Sequence, residues 1–110
     1  MNEIVTHASV PREHPSLPGH FPGRPIVPGV VLLNLVLEAI RAELSSGVTL
    51  QSIVSAKFLR ACQAEQRVDM HIKLAPSDQA NQVKARFTAS HDSTPVLEGS
   101  FLLMLPERAS

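Results

Sequence analysis

The chain has 110 residues, no net charge at neutral pH, 44% hydrophobic residues and 18% charged residues. This length predicts a single domain over residues 1–110. The neutral balance and the absence of Trp and Tyr argue against nucleic-acid binding, and no apolar run is long enough to cross a membrane. A single cysteine, Cys62, and an N-terminus without secretory features predict a cytoplasmic protein. A domain this small buries only about two-thirds of its unfolded surface, so oligomerisation would add useful burial.

The first predicted element is a short strand near Ile4 to Val10. A loop rich in proline and glycine follows, because six of the nine prolines and three of the five glycines fall between Pro11 and Gly29. Apolar residues are interleaved with these prolines, as at Leu17 and Phe21. We therefore predict an ordered, stiff loop, in which the prolines reduce the entropy lost on folding.

A helix is predicted to begin at Pro28-Gly29, since proline suits a helix start, and to run to about Ser46. Its first turns are apolar almost all round, which places them in the middle of the structure. Two polar side chains, Asn34 and Glu38, interrupt the aliphatic residues one turn apart. Burying either without a partner would cost about 1–3 kcal/mol, so each is expected to have a role.

After the helix, the hydrophobic period changes from 3.6 to 2, which predicts strands. Val54, Ala56 and Phe58 alternate with polar residues, and similar alternation follows at Asp69–Leu74 and Val83–Ser90, before a last strand over roughly Val96 to Leu105. Turn residues separate the later strands, for example at Pro76-Ser77-Asp78. One long apolar helix against an antiparallel sheet is an α+β arrangement.

The segment before the helix carries the chemistry. His20 lies among prolines and glycines just ahead of the helix, whose first residue, Gly29, offers free backbone N–H groups at the positive end of the helix dipole. A neutral imidazole can accept a proton near neutral pH. The other histidines have no metal-ligand spacing with one another or with cysteine, so we expect no metal site.

Three groups of residues in this segment resemble a known signature: GHFPG at residues 19–23, PI at 25–26 and PGV at 28–30. They resemble the FabA/FabZ-like 3-hydroxyacyl-ACP dehydratases, and the match covers about Pro15 to Ile40. The form HPSLPGHF at residues 14–21 is similar to accessory or aryl-polyene-type dehydratases. The resemblance implies a hotdog fold, in which an antiparallel sheet wraps around one long central helix.

The resemblance also implies roles. His20 would remove the C2 proton of a 3-hydroxyacyl thioester carried by an acyl carrier protein, and the Gly29 N–H would polarise the thioester carbonyl. Phe21, Pro28 and Val30 would contact the substrate beside Gly29. The site would lie at a homodimer interface, with His20 facing the helix of the other protomer. No metal or organic cofactor is implied.

The chain departs from the family pattern on the helix. The family has an acid fourteen residues after the histidine, where this chain has Asn34, and usually Gln one turn later, where it has Glu38. Our hypothesis is that Glu38 supplies the acid and Asn34 orients the hydroxyl, although this shifts the acid by about 6 Å along the axis. The alternatives are that Asn34 fixes helix or dimer register and that Glu38 pairs with Arg41 or faces solvent.

Two further expectations concern the partner and the reaction. Arg24, Lys57 and Arg60 would attract an acidic carrier protein and its phosphopantetheine phosphate, unless they are ordinary solvated positions. Dehydration to a trans-2-enoyl thioester is the first interpretation. A hotdog acyl thioesterase is a second interpretation, and a non-catalytic acyl-ACP-binding homologue that lost the helix acid at Asn34 is a third.

Overall fold

The computed structural model describes residues 2–15, 17 and 25–107. They form one helix and five strands, in the order β1 (Asn2–Ala8), α1 (Gly29–Glu43), β2 (Thr49–Phe58), β3 (Val68–Pro76), β4 (Gln82–His91) and β5 (Thr94–Met104). All neighbouring strands are antiparallel, and the sheet order is β1-β3-β4-β5-β2. The predicted α+β class and hotdog fold are confirmed.

The core lies between one face of the sheet and one face of α1. The alternating residues of β3 and β4 place their apolar side chains on this face, as the period of 2 predicts. The helix contributes Leu32, Val36, Leu37 and Ile40. In the middle of the sheet the rings of Phe87 and Phe101 pack with their centroids 4.6 Å apart. Scarce aromatics are thus concentrated where the aliphatic core needs volume.

Helix α1 begins at Gly29, as predicted, but ends at Glu43, three residues before the predicted Ser46. The chain turns early because the Ser45 hydroxyl accepts the Gly47 N–H and the Ser45 carbonyl accepts the Val48 N–H. Val48 is fully buried, so this turn carries the chain directly into the core. Serine near a helix end competes with the helical hydrogen bonds in this way.

Strand β2 differs most from its predicted pattern. It begins at Thr49, and its pairing with β5 is interrupted by two register shifts, one of which falls between Ile53 and Ser55. Val54 is the extra residue at that shift, so Ile53 takes the place that simple alternation gives to Val54. The expectation that Val54, Ala56 and Phe58 share one face was therefore wrong for Val54. Both Ile53 and Val54 remain exposed.

A short crossing anchors the chain just before the helix. Ile26 forms an isolated bridge with Gln63, and the Val27 N–H donates to the Cys62 carbonyl at 2.7 Å. The Ala64 N–H donates to the Pro25 carbonyl at 2.8 Å. These bonds hold the start of α1 against the segment that follows β2. Within the described residues, no helix is long and apolar enough to cross a membrane.

Candidate active site

The predicted site residues divide into two groups. His20, Phe21 and Arg24 lie outside the described residues. The others are placed along α1 and at the end of β2: Pro28, Gly29, Val30, Asn34, Glu38, Lys57 and Arg60. The described part of the site therefore consists of the helix start, the exposed face of α1 and the end of β2.

The helix start offers two unengaged donors. The Pro28 carbonyl accepts the N–H groups of Val31 and Leu32, at 3.0 and 3.4 Å. Neither Gly29 nor Val30 donates its N–H to any residue in the described ranges, and no side chain caps the helix. Unpaired N–H groups at the positive end of a helix dipole stabilise an anionic oxygen. Such a pair can polarise a carbonyl.

Phe58, the last residue of β2, lies against this helix start. A Cβ atom at Gly29 would stand 2.7 Å from two atoms of the Phe58 ring, so a hydrogen is the only side chain that this approach allows. The ring is half exposed, and it borders a cavity of about 490 Å³. The cavity is lined by Val27, Gly29, Leu32, Phe58, Leu59, Arg60, Ala61 and Cys62. Sequence analysis did not assign Phe58 to the site, because its alternation marked it only as a strand residue.

A second depression, the apolar groove, runs between α1 and β2. It has a volume of about 130 Å³, and its lining residues are Val30, Leu33, Asn34, Leu37, Leu50, Ile53 and Phe101. Asn34 is the only polar side chain among them. The structure thus brings two predicted site residues, Val30 and Asn34, to the same groove, next to the free N–H groups of the helix start. An amide there can hydrogen-bond a hydroxyl group on an apolar chain.

Glu38 is placed differently. Its Oε1 atom lies 2.8 Å from Nη1 of Arg41, whose Nε donates to the Val48 carbonyl at 2.9 Å. Glu38 is exposed and does not line the apolar groove. The ion pair with Arg41, which was one interpretation of Glu38, is therefore present. The role of Glu38 as an acid stays a prediction.

The predicted docking residues lie on different sides of β2. Lys57 pairs in register with Glu98 and borders a shallow depression with Arg86 and Thr88. Arg60 instead borders the cavity at the helix start. The two cations therefore flank the end of β2 rather than forming one patch.

Cys62 closes the inner wall of the cavity at the helix start. Burial raises the pKa of its thiol, which keeps the thiolate, the reactive form, scarce. No cluster of three or more His, Cys, Asp or Glu side chains that could hold a metal ion occurs within the described ranges. Because the thiolate is scarce, the Cys62 thiol is a poor candidate for a nucleophile at this site.

Comparison with known proteins identifies the family of this chain. A family model described as ApeI-like, for the ApeI dehydratase, matches residues 1–100. Among curated proteins, the chain is 32% identical to a 3-hydroxyacyl-[acyl-carrier-protein] dehydratase FabZ from Anaeromyxobacter sp. (strain Fw109-5), over 96% of this chain and 73% of that protein. A second relative of the same name, from Rickettsia massiliae, is 28% identical over 86% of this chain and 70% of that protein.

Solved structures agree on the fold. The dehydratase heterocomplex ApeI:P from Xenorhabdus doucetiae superposes with a TM-score of 0.69 at 21% identity, covering 94% of this chain and 88% of that one. The R-hydratase PhaJ1 from Pseudomonas aeruginosa gives 0.77 at 15% identity, covering 97% and 81%. The family match extends beyond the histidine segment to nearly all of the described strands. This chain therefore belongs to the ApeI-like dehydratases, within the FabA/FabZ-like hotdog family.

Proposed function

We propose that this chain dehydrates 3-hydroxyacyl thioesters of an acyl carrier protein to the trans-2-enoyl thioesters. The observation that carries the proposal is the pair of N–H groups at Gly29 and Val30, which have no acceptor among the described residues, beside an apolar groove to which Asn34 contributes an amide. Donors for a carbonyl, a slot for an acyl chain and a partner for a hydroxyl are the parts that this substrate needs. The buried free thiol of Cys62 is compatible with the proposed cytoplasmic location.

The reaction uses this chain's own groups. The His20 imidazole removes a proton from C2, and the electron pair of that bond moves toward the thioester carbonyl as an enolate. The Gly29 N–H holds the enolate oxygen, with the helix dipole behind it. The pair then returns to form the C2=C3 double bond while the C3–O bond breaks. The leaving hydroxide takes up a proton and departs as water.

The leaving hydroxide needs a proton donor. An amide does not titrate, so Asn34 can orient the hydroxyl but cannot protonate it. We propose Glu38, one helical turn away, as the donor; its carboxylate must first leave Arg41 and take up a proton from water. After it gives that proton to the leaving hydroxide, His20 releases the C2 proton to water, which restores both groups. An exposed ion pair contributes little stability, so separating it costs little.

A second chain completes the proposed site. In the resemblance, the histidine of one protomer faces the helix of the other, and here the helix face at Val30 and Asn34 is exposed. Strand β2, at an edge of the sheet, also exposes apolar side chains, which favours a covering partner. We propose a homodimer formed across β2. The heterocomplex of ApeI:P suggests the competing outcome, in which a related hotdog chain takes the second place.

A non-catalytic role is the second candidate, and Asn34 is the observation that favours it. A homologue that kept the groove and lost the acid would bind acyl carrier proteins without turnover. In that case Asn34→Asp would restore the family's acid in the groove and would create activity that the natural chain lacks. Release of a free thiol, instead of an enoyl product, would indicate the thioesterase interpretation.

The test is enoyl formation from 3-hydroxyacyl thioesters of several chain lengths by the purified protein. We expect turnover that His20→Ala abolishes and that Glu38→Gln lowers by roughly 100-fold or more, as removal of a general acid does. Arg41→Gln is the matched control, because it breaks the same ion pair and leaves the carboxylate free. Normal turnover by Glu38→Gln would remove Glu38 from the mechanism. No enoyl product from any substrate would remove the proposed function.

A further inference from the structure

The outer face of the sheet, which is turned away from α1, carries three cations close together. Lys73 on β3 lies directly opposite Arg86 on β4, and Lys84 lies two residues further along β4 on the same face. All three are exposed. Like charges directly opposite each other on neighbouring strands destabilise a sheet. The arrangement therefore has a cost that an anionic partner would remove.

The carboxylates described nearby offset these cations only in part. None of the ion pairs formed within the described residues includes Lys73, Lys84 or Arg86. Glu3 lies opposite Lys73, and its carboxylate accepts a hydrogen bond from His71 at 3.1 Å. This bond and the charge of His71, with a smaller contribution from Lys73, lower the pKa of Glu3, so Glu3 offsets one of the three cations. The cluster thus keeps a net positive charge on a chain whose total charge is zero.

The surface around the cations is shaped to receive a partner. The three side chains border a depression of about 400 Å³, together with Val54, Ala75, Ala85, Ser100 and Phe101. Val54, the bulge residue of β2, is 63% exposed and supplies an apolar contact beside the charges. A second depression, of about 520 Å³, shares Arg86 and Ser100 with the first and extends to Lys57 and Glu98. Lys57, Lys73, Lys84 and Arg86 still outnumber the carboxylates of Glu3 and Glu98 on this face.

We propose that this outer-face patch, defined by Val54, Lys57, Lys73, Lys84 and Arg86, docks an acidic protein surface. The proposal rests on the proposed function in identifying that partner as the acyl carrier protein. A second copy of this chain fits poorly, because a two-fold contact on this face would bring two cationic clusters together. Complementary charge of this kind steers association and fixes the orientation of the partner.

The patch also lies close to the candidate site. Lys57 and Phe58 are consecutive on β2, so their side chains point to opposite faces of the sheet. Lys57 lies on the outer face, while Phe58 contacts the helix start at Gly29. A carrier protein on the outer face would therefore meet the end of β2 that borders the site. Lys73, Lys84 and Arg86 thus join Lys57 as proposed docking residues. Arg60 borders the cavity at the helix start instead.

The test separates docking from chemistry. Arg86→Gln and Lys84→Gln/Arg86→Gln are compared with wild type, and Arg67→Gln is the matched control because it removes an exposed arginine elsewhere. Affinity for a purified acyl carrier protein carrying a 3-hydroxyacyl group is measured by calorimetry. Turnover is measured with this substrate and with the matching N-acetylcysteamine thioester, which has no carrier.

We expect the double variant to weaken carrier binding by roughly 10-fold and to raise KM for the carrier substrate, with turnover of the small thioester unchanged. Arg67→Gln is expected to stay within about two-fold of wild type. Unchanged carrier affinity in the double variant would overturn the proposal while leaving the function intact. Loss of an oligomer without loss of carrier affinity would overturn it in favour of a second copy. If no thioester is dehydrated, the proposed function fails, and calorimetry still tests the patch.

Discussion

Gly29 has no side chain, and this allows the Phe58 ring to lie close to the helix start. Because a methyl group there would overlap the half-exposed Phe58 ring, Gly29→Ala is expected to displace the ring across the free N–H groups. We expect kcat/KM for dehydration to fall roughly 100- to 1,000-fold, the range seen when an oxyanion donor is lost. The melting temperature should change little, because the end of an exposed ring can move.

A double-mutant cycle checks this explanation. If the ring causes the loss, Gly29→Ala should cost much less activity in a Phe58→Ala background than in wild type. Equal losses in both backgrounds would show that Phe58 has no part in the effect. A Gly29→Ala protein with full activity would contradict the role of this helix start.

At the residue scale, the sequence identified candidate site residues but not the side chains that they contact. Gly29 and Val30 belong to the motif and Asn34 is the departure from it; the structure places them along the helix start and the apolar groove, and their joint role stays a prediction. The Glu38–Arg41 pair was foreseen only as an alternative, because i, i+3 spacing allows a contact without requiring it. The contact between Phe58 and Gly29 could not be predicted from the sequence, because it depends on how β2 crosses the helix.

At the scale of elements, the hydrophobic period predicted the strands that follow the helix, but not the irregularities of β2. The first strand was predicted near Ile4 to Val10 and lies at Asn2–Ala8. The register shift between Ile53 and Ser55 makes Val54 an extra residue, and nothing in an alternating pattern marks such a residue. The early end of α1 has a similar origin. The Ser45 turn is a local effect and the burial of Val48 is a tertiary one, and together they outweigh the helical preference of the preceding residues.

Gly99 on β5 provides a prediction about how the elements pack. A Cβ atom there would lie 3.0 Å from the Phe87 ring and closer still to the Ser55 carbonyl, which belongs to the backbone of β2. Gly99→Ala is therefore expected to lower the free energy of unfolding by about 1–3 kcal/mol, as overpacking does. Chemical denaturation measures this, with Gly29→Ala as the comparison. Equal, small effects of the two substitutions would contradict the close β5–β2 contact.

On the scale of the whole molecule, the exposed side of α1 and the edge strand β2 call for a covering chain. The helix was predicted to be surrounded, yet Val30 is 71% exposed, and Ile53 across the apolar groove is 47% exposed. Sequence reasoning could foresee the need for a partner from chain length and an all-round apolar helix. It could not predict which surface stays uncovered, because strand order determines which face of the helix the sheet leaves free.

Assembly across β2 is tested by placing a charge on the edge. Ile53→Lys is expected to convert the dimer into monomers, because the interface would have to bury an unpaired ammonium group. Val5→Lys is the control, since Val5 is also an exposed apolar residue, on β1 at the opposite edge. Analytical ultracentrifugation measures both. Dissociation by Val5→Lys but not by Ile53→Lys would assign the interface to the other edge.

The central claim is that the histidine of one protomer acts with the helix start of its partner, and subunit complementation measures this directly. His20→Ala and Gly29→Ala proteins are unfolded together, refolded in equal amounts and assayed for dehydration. Statistical pairing gives mixed dimers with one intact site, so we expect about a quarter of wild-type activity from two nearly inactive parents. Activity no greater than the mean of the parents, with mixed dimers demonstrated by native mass spectrometry, would contradict a shared site.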